Sequence, residues 1–200
     1  MKIIKKLLIK PIKFIYFFIR WLLIQPLCLL FYERKYLKGK WFSDGVFSLG
    51  WQWCWNDIVH RILFGIHWYI PFPLSPYIDC TPDIDFDPDD INNFQGYGTY
   101  FQAFNGARIK MGKGCYIAKN VGIITVNHDL HNPEKHQYPK NVELGDNCWI
   151  GMNAIILPGV TLGPHTVVGA GSVVTKSFSD GWSVIAGNPA KIINKIEKNY

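Results

Sequence analysis

The sequence predicts a mainly β protein, a parallel β-helix preceded by a helical arm and a short helical cover, and three observations carry that prediction. Aliphatic residues recur every six positions at Leu144, Ile150, Ile156, Leu162, Val168 and Val174. The same step holds upstream at Met111, Ile117 and Ile123. Between the two runs the register breaks, because Ile123 and Leu144 stand 21 residues apart, which is no multiple of six. A six-residue period belongs to neither an α-helix nor one long strand; it fits a short strand plus a corner, three of which close one coil.

Each hexad has the same inner logic. The aliphatic first residue points into the prism, where stacked coils bury it. Gly or Ala usually follows, and the fifth place is small or β-branched, as in Met111-Gly-Lys-Gly-Cys115, Leu144-Gly-Asp-Asn-Cys148 and Val168-Gly-Ala-Gly-Ser172. The repeat is predicted to occupy residues 81–176. Its earliest part is irregular, since Thr99 and Asn105 fall where aliphatic residues are due. Val126 to Asn141 forms an insert that leaves the repeat. Residues 177–200 are expected to cap the open end of the prism, whose strand edges would otherwise be bare.

Composition bounds the function. With 200 residues, 48% hydrophobic and 18% charged, the chain is a folded domain plus an appendage, not a disordered one. The net charge of +6 is unevenly shared. Residues 1–40 hold ten Lys or Arg and one Glu, hence +9, leaving eleven basic and fourteen acidic residues, hence −3, for the rest. A basic arm on a slightly acidic body points to an anionic membrane surface and away from nucleic acid, which would need its basic groove on the folded body. The five cysteines, Cys28, Cys54, Cys80, Cys115 and Cys148, are odd in number and include no C-x-x-C pair. They read as packing residues in a reducing cytoplasm, neither a disulfide framework nor a thiolate metal site.

The arm, residues 1–40, opens with Lys2, Lys5, Lys6, Lys10 and Lys13 and continues in an apolar run to Tyr32. It lacks a small-residue cleavage site. The run is about long enough to cross a bilayer, yet Arg20 sits near its centre and Pro26 is expected to interrupt it. It therefore suits a helix that lies in the membrane interface or dips part way in, with spanning and packing on a neighbouring subunit as the other readings. Residues 41–80 are dense in aromatics. Within them Ile58, Val59, Ile62, Leu63 and Ile66 predict a helix from Asn56, as N-cap, to His67, ended by Pro71, Pro73 and Pro76. Asp83, Asp85, Asp87 and Asp89 alternate along a predicted edge strand; they read as its solvated face, or as a surface for Ca²⁺ or a cationic group.

Asn127-His128-Asp129, Gly145-Asp-Asn-Cys-Trp149-Ile-Gly151, Leu157-Pro-Gly-Val-Thr-Leu-Gly163, Gly169-Ala-Gly-Ser-Val-Val-Thr175-Lys176 and Ala186-Gly-Asn-Pro-Ala-Lys191 together resemble the hexapeptide-repeat acyltransferases. The nearest branches are the galactoside, maltose and serine acetyltransferases and the O-acetyltransferases of capsular and exopolysaccharide synthesis. The likeness runs from Asn105 to Lys191 and only loosely touches the first 80 residues. It implies a left-handed β-helix, an exception to the usual right-handed crossover, assembled as a homotrimer with active sites in clefts between prisms. Acetyl-CoA is the implied donor, and the insert would reach toward the adjacent subunit.

Acyl transfer to a hydroxyl needs a base, an oxyanion stabiliser and an acid for the departing thiolate. An imidazole holds both protonation states near neutrality, and the family motif assigns base and acid to His128. His131 and His136 in the same loop are its rivals. With Asp129 and Glu134 they can also be drawn as a metal site, but the related prismatic carbonic anhydrases take one histidine from an earlier coil. None occurs here between His67 and His128, so no metal is expected. The orienting partner of His128 stays open among Asp129, Glu143 and a backbone carbonyl.

The resemblance implies an oxyanion donor in the Met152 N–H and CoA contacts at Trp149, Gly151, Met152, Ala170, Gly171, Thr175 and Lys176. Asn188 and Pro189 would lie near the nucleotide. Gly151, Ala170 and Gly171 are also what the coil itself would require. Acceptor contacts are expected from Tyr100, Gln102, Asn105, Asn127 and Asp129, whose rings, amides and carboxylate suit sugars. The expected function is acetyl transfer to a sugar hydroxyl of a cell-surface polysaccharide or its lipid-linked precursor, with the protein peripheral or monotopic on the cytoplasmic side of the inner membrane. A small free sugar or serine as acceptor, and a non-catalytic scaffold, are the alternatives.

Overall fold

The computed structural model describes residues 2–198, and side chains from residue 11 onward. The side chains of Lys2, Lys5, Lys6 and Lys10, expected along the start of the arm, lie outside the described ones. Two compact units divide the chain, residues 1–74 and 75–200.

The first unit contains α1 (Lys2–Phe31) and α2 (Leu49–Phe64). Contrary to expectation, Pro26 does not interrupt α1, which runs through both Pro11 and Pro26. Ile24 and Cys28 flank Pro26 and are buried in one cluster with Cys54 and Ile58 of α2, so packing holds the turn that the missing N–H weakens. The predicted helix boundaries also shift. α2 begins at Leu49 after Ser48, so Asn56 is not its N-cap but lies inside it, and it ends at Phe64 with Gly65 left-handed at φ 66°. The tryptophans hid its start because α2 is covered on several sides: Trp51 and Trp55 pack on the core while Trp53 meets Trp41 at 5.1 Å between ring centroids.

Beneath that core lies a buried ion pair that no periodicity announced. Arg61 is fully buried, and its Nη2 stands 2.9 Å from Asp57 Oδ2. The guanidinium also donates to the Ile70 and Phe72 carbonyls at 2.9 and 3.0 Å. Asp57 Oδ2 accepts in addition from Tyr32 Oη at 2.8 Å and the Leu74 amide at 3.0 Å. One carboxylate thus ties the end of α1, the middle of α2 and the segment 70–74 together. Burial, with the Asp57 carboxylate next, pushes the Tyr32 phenol up, so that it stays a donor.

The second unit is a three-sided coil of short strands. They are β1 (Asp79–Cys80), β2 (Ile84–Asp85), β3 (Tyr100–Gln102), β4 (Ile109–Met111) and β5 (Tyr116–Ile117). The next are β6 (Gly122–Ile124), β7 (Val142–Leu144), β8 (Trp149–Ile150), β9 (Ile155–Ile156) and β10 (Thr161–Leu162). The last are β11 (Thr166–Val168), β12 (Val173–Val174), β13 (Ser183–Gly187) and β14 (Ala190–Lys195). They stack as a first sheet β1-β3-β6-β9-β12, a second β2-β4-β7-β10 and a third β5-β8-β11-β13-β14. All pairings are parallel except β13 with β14, a hairpin that closes the end of the coil.

Three six-residue periods make one coil, so the aliphatic residues of every third hexad pair in register. Ile123 pairs with Ile156 and Ile156 with Val174; Met111 pairs with Leu144 and Leu144 with Leu162; Ile117 pairs with Ile150 and Ile150 with Val168. Nearly all are buried, as are Cys115 and Cys148 at the fifth places, and the five cysteines are free. Corner glycines let coils approach: a Cβ on Gly145 would stand 2.6 Å from the Pro164 nitrogen.

The first coil is irregular, as predicted, and the structure gives the means. Thr99 is buried, while Asn105 turns at φ 48°. Where the third sheet should have its first strand there is a 3-10 helix, Pro88–Phe94. Asp90 Oδ2 accepts from the Gly114 and Cys115 amides, and Asn93 bonds both the Cys115 carbonyl and the Ile117 amide. Two side chains replace a strand for β5. The predicted alternating acidic strand is accordingly shortened. β2 stands at the edge of the second sheet, with Asp83 and Asp85 paired to Arg108 at 3.8 and 3.1 Å. Asp87 instead caps the Asp89 amide, and Asp90 is buried.

Candidate active site

Each coil has three corners, and the insert leaves the one between the first and second sheets. It folds back as a small hairpin. His128 and His136 form an antiparallel bridge, the Asp129 amide donates to Lys135 O at 2.8 Å, and the Gln137 amide donates to Asn127 O at 2.9 Å. At its base the Lys140 amide returns to Thr125 O at 2.8 Å. The register break thus comes from a closed excursion that re-enters the coil at β7.

Within the hairpin His128 is exposed and oriented. Its Nδ1 stands 2.6 Å from the Pro133 carbonyl, which can only accept, so Nδ1 carries the proton and the lone pair of the neutral ring falls on Nε2. The ring lies against His136 at 4.7 Å, and His136 lies against Phe104 at 4.7 Å. Of the three partners left open by the sequence, the structure selects the backbone carbonyl. Asp129 Oδ1 accepts from the His131 and Asn132 amides at 2.9 and 3.0 Å, shaping the turn. Glu143 is paired with Lys110 at 2.9 Å on the second sheet. Pro133, His136 and Phe104 were not legible as supports. Only the fold brings Phe104, at the same corner of the preceding coil, against the loop.

The predicted acceptor residues gather around this corner. Tyr100 and Gln102 share the outward face of β3, in register with Gly122 and Ile124. Burial, with Asp79 next, pushes the Tyr100 phenol up. Gln102 Oε1 is buried with no hydrogen-bond partner among the described residues. Asn105 lines a groove of about 360 Å³ with Gly106, Ala107, Tyr138, Pro139, Lys140 and Asn141. Asn127 is exposed at the start of the insert.

The predicted CoA residues fall on two corners. Trp149, Gly151 and Met152 lead from the third sheet into the first; Trp149 and Met152 are 56% and 47% exposed. Above them stand Ala170 and exposed Gly171, whose amide donates to Met152 O at 2.8 Å. Asn188 and Pro189, joined by a cis bond, follow β13 at the same corner. Gly151 is also needed by the coil, since a Cβ there would stand 2.7 Å from the Ala170 nitrogen and the Val168 oxygen. Thr175 and Lys176 instead follow β12, on the corner of the His128 insert, and both are exposed. The first sheet, with Gly122, Ile155 and Val173 facing outward, separates the two sets. One chain therefore brings together His128, the acceptor residues, Thr175 and Lys176, and holds Trp149, Met152 and the rest on another edge. Among the described residues no three His, Cys, Asp or Glu side chains converge as a metal-ligand group.

Residues 141–176 match the family described as bacterial transferase hexapeptide (six repeats). The galactoside O-acetyltransferase of Escherichia coli is 37% identical over 100 residues, covering 46% of this chain and 48% of that protein. The chain spans about half the length of the first curated relatives it matches. A galactoside acetyltransferase solved in complex with coenzyme A superposes with a TM-score of 0.50 at 27% identity, covering 62% of each chain. A hexapeptide-repeat-containing acetyltransferase of Vibrio cholerae, solved with acetyl coenzyme A, gives 0.50 at 25% identity, covering 62% of this chain and 68% of the other. The chain therefore resembles the hexapeptide-repeat acetyltransferases in sequence and in fold.

Proposed function

We propose that this chain is an acetyl-CoA-dependent O-acetyltransferase, working as a homotrimer of left-handed coils on the hydroxyl of a sugar. The observation that carries the reading is His128, held through Nδ1 by the Pro133 carbonyl so that Nε2 is the basic nitrogen of the neutral ring, on the insert that interrupts the repeat between Ile123 and Leu144. The separation of the residue sets supports a shared site, because the His128 corner of one copy can face the Trp149–Met152 edge of the next. The donors named for the two solved relatives, coenzyme A and acetyl coenzyme A, support the donor.

The reaction follows from those positions. His128 Nε2 takes the proton of the acceptor hydroxyl as its oxygen attacks the thioester carbonyl, and the Pro133 carbonyl stabilises the imidazolium through Nδ1–H. The Met152 N–H donates to the oxyanion. Collapse breaks the C–S bond, and Nε2 returns its proton to the CoA thiolate.

Replacing His128 with Ala should lower turnover by roughly 10²–10⁴-fold while leaving CoA binding intact, and undiminished turnover would remove this mechanism. Co-expression of His128→Ala with Ala170→Trp tests the shared cleft. Each variant alone should be inactive, and mixed trimers should regain activity where two intact edges meet; no recovery counts against it. For the acceptor, galactoside, maltose and serine are assayed as free substrates, and surface polysaccharide from cells with and without the gene is compared by mass spectrometry. An acetyl difference in the polysaccharide supports the glycan acceptor; acetylation of free sugar alone supports the small one.

A further inference from the structure

We propose that the first unit seats on the surface of an anionic lipid bilayer through the exposed apolar face of α1, with α1 lying in the plane of the interface. This rests on that unit alone and is independent of the catalytic reading. An 18-residue window within Pro11–Phe31 has a mean hydropathy of 1.9, yet only 11% of it is buried. Its packed stripe is narrow: Ile24 and Cys28 are buried on the α2 side, with Phe31 and Trp21 partly covered. The opposite side, with Ile15, Ile19, Leu22, Leu23, Leu29 and Leu30, is 51–77% exposed. A soluble surface rarely leaves so long an apolar strip bare.

Charge selects the occupant. Residues 1–40 carry ten Lys or Arg against one Glu, and the cations stand at both ends of α1: Lys2 to Lys13 at its start, Arg34, Lys35, Lys38 and Lys40 beyond its end. A helix crossing the bilayer would divide these cations between two leaflets. A helix in the interface presents all of them to one layer of anionic headgroups. Arg20, near the middle of the apolar run, decides between the two. Its guanidinium is turned to the α2 side, 5.0 Å from the Trp55 ring and 5.3 Å from the Tyr16 ring, with Nη1 donating to Tyr16 Oη at 3.4 Å. In a spanning helix that charge would lie at the bilayer centre, where it is strongly disfavoured. In a helix lying flat it faces protein, above the lipid.

The full chain is floated with phosphatidylcholine vesicles, with and without phosphatidylglycerol. We expect co-flotation with the anionic vesicles, weakened roughly tenfold or more when phosphatidylglycerol is left out or salt is raised. The double variant Leu22→Asp, Leu30→Asp should float no better than protein without vesicles and keep its melting temperature, because both side chains are exposed and off the α2 stripe. Failure of the wild-type chain to float, or equal flotation of the variant, overturns the proposal. So does a wild-type dimer that stays off vesicles and dissociates in the variant. Trypsin added outside proteoliposomes reads the orientation. Cleavage at both Lys13 and Lys35 supports the in-plane helix, and protection of either end overturns it in favour of a span.

Discussion

In the coil, an inward side chain finds its own kind one turn above or below. Ile156 sits between Ile123 and Val174, and Leu144 between Met111 and Leu162. In the helical unit the buried groups have no counterparts. Asp57 is shared among Arg61, Tyr32 and the Leu74 amide, drawn from places 4, 25 and 17 residues away in the chain. The difference teaches how each unit spreads its stability. The coil draws on many similar contacts, each moderately important, whereas the helical unit concentrates it in one desolvated charge pair whose partners must all be present.

The strongest way to break that contrast is Arg61→Leu, which leaves the Asp57 carboxylate buried without its counter-charge. The helical unit should lose about 3–5 kcal/mol. Six of the eight tryptophans lie in that unit, so urea unfolding followed by tryptophan fluorescence reports it, with the coil followed by far-UV dichroism. An equal shift in the coil transition would show that the units do not differ as argued. Replacing Asp57 and Arg61 together with apolar residues sharpens the point, since removing both charges should recover most of the loss. Next in size, Ile156→Ala should cost the coil about 2–5 kcal/mol, and Ile156→Val only about 0.5–1.5, measured in the same unfolding experiment. A loss from Ile156→Ala larger than that of Arg61→Leu would reverse the comparison. Smallest is the corner Asn153, which sits at φ 60°. Asn153→Ala should be destabilising, because Ala keeps the Cβ but loses the polar side chain that lets Asn tolerate the left-handed region, while Asn153→Gly should cost nothing or slightly stabilise the coil, because a missing Cβ removes the penalty.

The same contrast explains what could be read in advance. The inward positions from Met111 to Val174, the small cysteines at fifth places, the irregular first coil and the site of the insert all follow from a period that each hexad restates. The limits of α2 did not, because Trp51, Trp53 and Trp55 face different neighbours and blur the helical periodicity. Pro26 misled for a related reason: its cost is local, and the packing of Ile24 and Cys28 that outweighs it is not. In the acidic segment, alternation predicted one strand face, but Asp90 is drawn inside because β5 needs acceptors that no strand supplies. In the candidate site His128 was legible through its motif, whereas its orientation was not. Asp129, the near neighbour, is used by the turn, and the carbonyl that holds the ring belongs to Pro133.

By itself, then, the sequence determined the period, and with it which side chains face inward, where the coil is interrupted and that a histidine stands on the interruption. Such properties depend on spacing, which is the same in the extended and the folded chain. Only the tertiary structure decided which carbonyl fixes Nδ1 of His128, that the Trp149–Met152 edge lies one sheet away from it, and that Asp57 and Arg61 are buried as a pair. Those depend on which distant segments meet in space, and a buried polar group takes whatever partner folding brings within about 3 Å.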